Sequence, residues 1–526
     1  MKKSIPIGIT LSTIVAAVAS GQSIYQLTST TSTGLDLTAM SGYYADRMYG
    51  PSSGEIEFSG PLTYDSAVFA SNPFQLIGRG GKIKVKKTAS TNTTNLNRVP
   101  LKLYADDGVS TISQLYFYDL GYAGASLDIG RGYRMEYDYK NGNGEGWVSS
   151  DTIMVHDGGD LKSDYRLVVG GNMSVSVSVT SGASITAGQG LTLGLQNKSL
   201  SPVITAFMGI TNGTVTAGGT DLSNGRAFTI MFNGGTWNAD AAHVVIGEGG
   251  LLRANSISHS GAGNSRISFD GGSYKPASGE SASLPLFNVR GYISWGSNHY
   301  PEPHMTVEGS NGHPIDVETA LNRNLSGGTA SGNRQINLTG DGGFTKRGAG
   351  TLTFNRLNDN STCNYTGPTT ILGGGIVVTN SVFKPGRGDL AVSDGSFLDL
   401  NSFDAEFAGA TGAGIVTNGA DSVSILTLGY GNTNAEFSVA IGERINVVKT
   451  GTGTLTVSGA ALANTCDLTV EAGTVVFMGD SSSYGTVTVK SGATLDITGT
   501  RFSCEHLVTK PGSTLLPPPA TVIYVR

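Results

Sequence analysis

The chain has 526 residues, of which 76 are glycine, and only 14% of its residues are charged. Glycine is therefore about twice as frequent as in an average soluble domain, and charge about half as frequent. The glycines follow no three-residue period, which excludes collagen. The net charge is −6 and no long basic run is present, so we expect no nucleic-acid partner. Three cysteines are too few for a disulfide framework.

The first 19 residues have the pattern of a secretory signal peptide. Met1–Lys3 supply positive charge, Ile5–Val18 are mostly apolar, and Ala17 and Ala19 are small residues suited to cleavage after Ala19. An uncleaved membrane anchor is the alternative, but the stretch is shorter than the roughly 20 apolar residues that span a bilayer. No other segment is apolar enough for a transmembrane helix. We therefore expect a secreted protein or one at the cell surface, associated with the outer membrane.

Residues 20–165 are rich in aromatic side chains, since 13 of the 20 tyrosines lie at or before Tyr165. We predict a β-rich cap with irregular coils here, because the first coil of a repeat protein needs a cover on its exposed edge. In that case the rings fill an irregular core. An aromatic carbohydrate-binding face is the alternative.

Beyond this region, short alternating runs end in a recurring corner: an aliphatic residue, two spacers, glycine, then Ala, Ser or Thr. The last three corner glycines are 19 and 20 residues apart. This spacing predicts an all-β, right-handed parallel β-helix or solenoid with coils of about 19–22 residues, in which aliphatic side chains point inward and polar ones outward. Several β-sandwiches are the alternative. The predicted corner glycines are Gly182, Gly213, Gly395, Gly473, Gly492 and Gly512.

We divide the predicted solenoid into glycine-rich coils with loops at residues 166–340 and more regular coils at 341–514, followed by a C-terminal tail or cap at 515–526. The regular part contains two similar nine-residue segments, Lys346–Phe354 and Lys449–Val457, which agree at six positions. In both, Gly-x-Gly forms a tight corner and the following strand alternates Thr outward with Leu inward. The motif residues are Lys346, Gly348, Gly350, Thr351, Leu352, Tyr365, Gly367, Thr369, Lys449, Gly451, Gly453, Thr454 and Leu455.

In this motif the chain resembles the autotransporter-associated β-strand repeat, found in the passenger regions of exported bacterial β-helix proteins. Tyr365, Gly367 and Thr369 match the second part of the family pattern, whereas Cys363 stands where the family usually has Asn. The second copy lacks the Tyr-x-Gly-x-Thr part. The resemblance implies a β-helix fold and export, and it says nothing about catalysis.

A complete autotransporter ends in a membrane β-barrel, whereas the repeats here run to about residue 512 and Pro517–Pro519 then break the pattern. We therefore expect a passenger without its own translocator, with a separate barrel or surface-anchoring partner.

Two functions remain open. The first is a non-enzymatic structural or adhesive role, in which a long, weakly charged, hydroxyl-rich face binds glycans or other cell-surface components. The second is a β-helix polysaccharide lyase or glycosidase, which needs two carboxylates about 5–10 Å apart on one exposed sheet. A passenger fragment of a longer autotransporter is a variant of the first.

The sequence assigns no catalytic, cofactor-binding or metal-binding residue. The segments His299–His304 and Asp157–Asp160 contain potential ligand types but are predicted to be loops and turns. Cys466 and Cys504 are predicted to lie two coils apart, about 9.6 Å, which is too far for a disulfide. We therefore predict free and mostly buried thiols, including Cys363.

Overall fold

A computed structural model of the chain shows an almost entirely β protein. It describes with side chains residues 129–130, 152–170, 174–194, 205–219, 228–229, 242–259, 264–289, 304–327, 335–356, 360–462, 465–480 and 484–517, and it describes the backbone of the remaining strands given below. The predicted signal peptide, the tyrosine cluster up to Tyr139, most of the His299–His304 segment and the tail after Pro517 lie outside the residues described with side chains.

The chain divides into two units. The first comprises Met1–Ile267, Gly271–Glu280 and Val289–His304, and the second comprises Ser268–Asp270, Ser281–Asn288 and Met305–Arg526. The segment boundaries predicted from the sequence are not tested by this division and remain predictions.

The first unit contains three parallel sheets. Sheet 1a contains β2 (Gln22–Gln26), β4 (Arg47–Tyr49), β7 (Phe74–Gly78), β9 (Leu101–Ala105), β12 (Ser126–Ile129), β15 (Thr152–Val155), β18 (Val175–Thr180), β21 (Ala206–Thr211) and β24 (Asp240–Gly247). Sheet 1b contains β5 (Glu55–Phe58), β8 (Lys82–Val85), β10 (Gln114–Tyr116), β13 (Arg134–Tyr137), β16 (Asp160–Ser163), β19 (Ser184–Ala187), β22 (Thr214–Ala217), β25 (Leu251–Ala254) and β28 (Ser273–Lys275). Sheet 1c contains β11 (Leu120–Gly121), β14 (Glu145–Ser149), β17 (Arg166–Val169), β20 (Leu191–Leu193), β23 (Phe228–Asn233) and β26 (Ile257–Ala262).

Shorter pairings complete the first unit. Strand β1 (Ala16–Ala17) is antiparallel to β2, and β3 (Leu35–Asp36) is parallel to β6 (Leu62–Thr63). The remaining strand, β27 (Asn264–Asp270), crosses the division between the units.

The second unit also contains three parallel sheets. Sheet 2a contains β31 (Ile315–Glu318), β35 (Phe344–Arg347), β38 (Thr369–Ile371), β40 (Leu390–Val392), β43 (Ala410–Thr411), β46 (Ala435–Phe437), β49 (Thr454–Val457), β51 (Thr474–Phe477), β53 (Thr494–Asp496) and β55 (Thr514–Leu516). Sheet 2b contains β32 (Arg323–Asn324), β36 (Thr351–Phe354), β39 (Gly375–Val378), β41 (Phe397–Asp399), β44 (Ile415–Thr417) and β47 (Ala440–Ile441). Sheet 2c contains β42 (Ala405–Phe407), β45 (Ser424–Leu428), β48 (Ile445–Lys449), β50 (Leu468–Val470), β52 (Tyr484–Val489) and β54 (Cys504–Thr509).

Five further strands lie wholly or partly in the second unit: β29 (Phe287–Arg290) pairs with β33 (Ser326–Gly327), β34 (Gln335–Gly340) pairs with β37 (Thr362–Cys363), and β30 (His304–Gly309) precedes β31. Short 3-10 turns occur at Tyr430–Asn432 and Gly459–Ala463.

Each unit is thus a parallel β-solenoid, as the sequence predicts. Its sheets are ladders in which each strand pairs with the strand one coil away, and every coil contributes short strands to more than one sheet.

The interval between coils is regular in the last part of the chain. Thr454 pairs with Thr474, Thr474 with Thr494, and Thr494 with Thr514, so each coil there has 20 residues. In the first unit the interval is longer: Val175 pairs with Ala206, 31 residues on. Part of the additional length is strand, since β18 has six residues and β24 eight whereas β49 has four and β53 three, and the rest lies in the connections between strands. The predicted coil length therefore applies to the regular part and not to the whole chain.

Alternating side chains form the core. In β18, Val175, Val177 and Val179 are buried while Ser176 between them is exposed. In the second unit Leu455, Val475 and Leu495 pair in register and all have 0% exposure. Each fully buried aliphatic side chain stabilises the fold by about 1.5–3 kcal/mol, which explains why the inward positions are so consistently apolar.

Candidate functional site

The first motif lysine points into the core rather than to solvent. Lys346 is 0% exposed on β35, where it is in phase with the buried Phe344. Its Nζ atom donates to the carbonyl oxygens of Arg347 at 2.7 Å and Gly348 at 2.9 Å, which belong to its own corner. A third bond, at 3.2 Å, goes to the carbonyl of Gly373 on the next coil. The ammonium group thus ties two successive corners together.

The second motif lysine repeats this arrangement. Lys449 is also 0% exposed, and its Nζ donates to Thr450 O at 2.6 Å, Gly451 O at 2.9 Å and Ala472 O at 3.2 Å. The two copies nevertheless lie on different sheets, because Lys346 belongs to sheet 2a and Lys449 to sheet 2c. We call this arrangement the lysine corner. Since its geometry does not depend on the sheet that carries it, the corner is a local module.

Glycine makes room for the ammonium group. Gly348 and Gly451 follow their lysines and have φ 79° and 71°, which side-chain-bearing residues rarely adopt. Gly473, with φ 68°, directly follows the accepting carbonyl of Ala472. A Cβ atom on Gly473 would lie 2.9 Å from the Nζ atom of Lys449. The spacing of lysine and glycine in the motif therefore follows from the shape of the corner.

The remaining motif positions shape the strand after the corner. Gly350 and Gly453 lie against backbone carbonyls of the preceding coil, where a Cβ atom would collide. Beyond them the two strands have the same inward and outward pattern. Leu352 and Leu455 are 0% exposed, whereas Thr351 and Thr454 point outward and are half-buried.

Tyr365, Gly367 and Thr369 form the second part of the motif. The Tyr365 hydroxyl lies 2.7 Å from Thr369 Oγ1 in the core, and its ring stacks on Phe344 with centroids 6.0 Å apart. Burial raises the pKa of Tyr365 above its usual range. Gly367 lies against the backbone of Asp341 and Gly343, which leaves no space for a side chain. The contacts of Tyr365, Gly367 and Thr369 therefore serve the packing of the coil.

The six predicted corner glycines mostly occupy left-handed corners. Five of them have φ between 68° and 81°: Gly182, Gly395, Gly473, Gly492 and Gly512. At the sixth corner the left-handed residue is Asn212, with φ 48°, one position before Gly213. A Cβ atom on Gly213 would lie 2.8 Å from the carbonyl oxygen of Val179, so glycine serves close packing there rather than a left-handed conformation.

The three cysteines are free, as predicted, and Cys466 and Cys504 are buried while Cys363 is half-buried. Cys504 pairs with Tyr484, and the neighbouring Gly485 bonds to the Cys466 carbonyl, so the coil of Tyr484 lies between the two buried thiols, which are two coils apart as predicted. Burial raises the pKa of both thiols. They are therefore poor nucleophiles near neutral pH.

Several charged side chains of the second unit form ion pairs on the outer surface. Arg347 bonds to Asp316 at 2.8 Å, Arg387 to Glu406 at 2.9 Å, and Lys490 to Glu471 at 2.6 Å. The Arg387 guanidinium also lies 5.1 Å from the centre of the Tyr430 ring. In the part of the chain described with side chains, no group of three or more His, Cys, Asp or Glu residues could hold a metal ion. Within the same part, no helix is long and apolar enough to cross a membrane.

Two features escaped the sequence analysis, although alternation signals both. Lys346 and Lys449 each lie two residues after a buried residue of the same strand, Phe344 and Val447, and alternation therefore places them inward. Phe207 alternates along β21 with the buried Ala206, Met208 and Ile210, and this places its ring on the outer surface.

The fold and these corners define a weakly charged parallel β-solenoid whose motif residues are built into its frame. Among curated proteins, the chain is similar to the adhesin BmaC autotransporter of Brucella suis biovar 1 (strain 1330), with 27% identity over 323 residues. The match covers 56% of this chain and only 9% of that protein, so the chain corresponds to a small part of a much longer relative. No family model matches the chain, and no solved structure matches it.

Proposed function

We propose that the chain is an exported, non-enzymatic β-solenoid of the autotransporter passenger type, with a structural or adhesive role at the bacterial cell surface. The similarity to an autotransporter adhesin over 323 residues carries this proposal. The parallel solenoid fold of each unit and the two lysine corners support it, because stacked coils tied at their corners give a stable frame that presents outward side chains. The resemblance to the autotransporter-associated repeat supports the same conclusion through the motif alone.

Adhesion requires an accessible surface that tolerates variation, and a solenoid supplies one. Its inward residues fix the fold, whereas the outward residues of each coil contribute little to the core and are free to specialise. In β49, β51, β53 and β55 the outward Thr454, Thr474, Thr494 and Thr514 form a ladder, with neighbouring residues about 4.8 Å apart. Such hydroxyl rows favour many weak contacts with glycans or other surface components.

A polysaccharide lyase or glycosidase is the alternative. The outward carboxylates of Asp316, Glu406 and Glu471 each pair with a basic side chain. We favour the adhesive role because the curated relative is an adhesin, and we also propose removal of residues 1–19 and a separate surface-anchoring partner.

Localisation and adhesion can be tested together. Antibodies against the chain should detect a form lacking residues 1–19 on intact cells of the native organism, where added protease removes it, or in the medium. Beads coated with the folded chain should adhere to cells, whereas beads coated with heat-denatured chain should not. Recovery of uncleaved protein from the cytoplasm, or equal adhesion of both bead types, would contradict the proposal. Release of reducing ends or unsaturated products from polysaccharides would instead support the enzyme.

A further inference from the structure

An aromatic ring lies exposed on the outer face of sheet 1a. Phe207 on β21 is 40% exposed, whereas its neighbours Ala206 and Met208 are buried. Cross-strand pairing places Ser176 beside Phe207 on the preceding coil and His243 beside it on the following coil. The next outward row contains Ser178 and Gly209, which also pair across the strands.

The ring has a defined orientation. A Cβ atom on Gly209 would lie 3.3 Å from Cε1 and 3.6 Å from Cζ of Phe207, so the distal edge of the ring covers the glycine. The His243 ring stands at 84° to the Phe207 ring, with their centroids 5.9 Å apart. The two rings therefore form a floor and a wall. We call Phe207, Gly209, His243, Ser176 and Ser178 the Phe207 platform.

The platform's own strands carry mostly polar, uncharged side chains on their outer face, and the adjoining strand β27 adds Arg266 at an outward position. The outward positions of β15, β18, β21 and β24 that are described with side chains hold no Asp, Glu, Lys or Arg: they are Thr152, Met154, Ser176, Ser178, Thr180, Phe207, Gly209, Thr211, His243 and Val245. One arginine beside these four strands is far less than the array of like charges that attracts an anionic polymer, and the four strands offer no described carboxylate that would attract a cationic one. A neutral ligand with both apolar faces and hydroxyl groups fits it best.

Size also favours a small ligand unit over a protein. A stable protein interface buries about 800 Å² on each partner around several anchors. Here a single aromatic ring lies among small hydroxyl side chains, with rows about 4.8 Å apart across the strands. A sugar ring can place its C–H face on an aromatic ring while its hydroxyl groups bond to neighbouring polar side chains.

We propose that the Phe207 platform binds a neutral saccharide, with Phe207 as the stacking surface, Ser176 and Ser178 as hydrogen-bonding groups, and the upright His243 ring as a wall that limits where the sugar can lie. This inference rests on the proposed adhesive function and names the ligand class for it. Because the platform lies on one face of a stacked sheet, a chain of sugars can continue along the neighbouring coils beyond the ring.

The test uses the folded chain on an array of neutral hexose and N-acetylhexosamine oligosaccharides, with heparin as an anionic comparator. The affinity for the best neutral oligosaccharide is then measured by calorimetry for the variants. Phe207→Ala should weaken it about tenfold or more, which corresponds to about 1.4 kcal/mol. Phe207→Trp keeps a stacking surface and should retain the affinity.

Tyr430→Ala is the matched control, because Tyr430 is 43% exposed but has the Arg387 guanidinium over its ring. It should leave the affinity unchanged. Circular dichroism on each variant checks that the fold is intact. If Phe207→Ala is misfolded, Ser178→Gln, which extends a longer side chain beside Gly209, should weaken the affinity in its place.

The outcomes separate this inference from the function on which it rests. Neutral-sugar binding that is unaffected by both Phe207→Ala and Ser178→Gln would overturn the platform. Adhesion of coated beads without any neutral-sugar binding would also overturn it, and so would a preference for heparin or for a protein receptor, while the adhesive function would stand. Absence of both adhesion and sugar binding would overturn both proposals.

Discussion

Replacing the lysine of one corner should loosen the solenoid locally. In Lys449→Met the side chain keeps its length but loses the ammonium group, so the carbonyls of Thr450, Gly451 and Ala472 lose their shared donor. A hydrogen bond to a charged group contributes about 1.5–3 kcal/mol. Burial opposes the charge, as the lowered pKa of Lys449 shows, and this offsets part of the gain. We expect a net loss of about 2–4 kcal/mol.

The matched control is Lys490→Met. Lys490 forms a 2.6 Å ion pair with Glu471, but its side chain is 50% exposed. Exposed ion pairs contribute about 0–1 kcal/mol. The two variants therefore remove the same charge from the same part of the chain. They differ in whether the ammonium group is buried among backbone carbonyl groups, as in Lys449, or exposed, as in Lys490.

Hydrogen exchange measured by mass spectrometry is the suitable assay, because a repeat protein can open locally without unfolding as a whole. The informative amides are those of Thr450 and Glu471, which bond to the neighbouring coils at 2.8 Å. A loss of about 2–4 kcal/mol accelerates their exchange about 30- to 700-fold, since 1.4 kcal/mol corresponds to a factor of ten. Lys490→Met should change it less than about fivefold. Equal, small effects of both variants would refute the lysine corner as a stabilising element.

Three further predictions follow from the same packing. Gly473→Ala should lower the thermal midpoint more than Gly492→Ala. Both residues have positive φ, but a new Cβ at Gly473 would lie 2.5 Å from the carbonyl oxygens of Gly451 and Gly453 and 2.9 Å from Lys449 Nζ, whereas nothing lies within 4 Å at Gly492. Equal shifts of the two midpoints would mean that backbone strain alone sets the cost. Cys466 and Cys504 should react with a thiol reagent at pH 8 only after unfolding. Their raised pKa values also imply stability that is present below the ordinary thiol pKa and lost as pH rises through the folded value, so a denaturation midpoint that increases above pH 9 would contradict this. Tyr365→Phe removes the hydroxyl bonded in the core and should cost about 1 kcal/mol in denaturant titrations, and alkaline absorbance titration should lose one late-titrating tyrosine; an unchanged titration would show that Tyr365 ionises normally.

The sequence predicts the regular part of the fold well, for a physical reason. Each coil between Thr454 and Thr514 repeats a threonine, an inward aliphatic residue and a corner glycine at the same interval, so the period is visible. In the first unit the connections differ in length, so the number of residues per coil varies and includes intervals as long as that from Val175 to Ala206. The strands stack in the same way there, but no constant period is visible in the sequence. Strand pairing tolerates such insertions because loops lie outside the ladder.

The candidate sites were harder to predict because residue type and position disagree there. Lysine side chains are almost always exposed, whereas strand alternation places Lys346 and Lys449 inward. Only the structure shows the backbone carbonyl groups that make this burial possible. Phe207 presents the opposite conflict, an aromatic residue at an outward position. The Phe207 ring covers Gly209, and the His243 ring stands upright beside it. Both positions depend on which residues pair between neighbouring strands, and the sequence pattern of one strand does not contain that information.

Spin labels on neighbouring coils test the central claim, the 20-residue stacking of the solenoid, most directly. Thr474 and Thr494 pair across adjacent strands whose backbones lie about 4.8 Å apart, so spin labels at these two positions should show strong spin exchange in continuous-wave spectra. Labels at Thr454 and Thr494, two coils apart at about 9.6 Å, should show dipolar broadening without that exchange. Absence of interaction in the first pair, or stronger exchange in the second, would contradict the stacked coils.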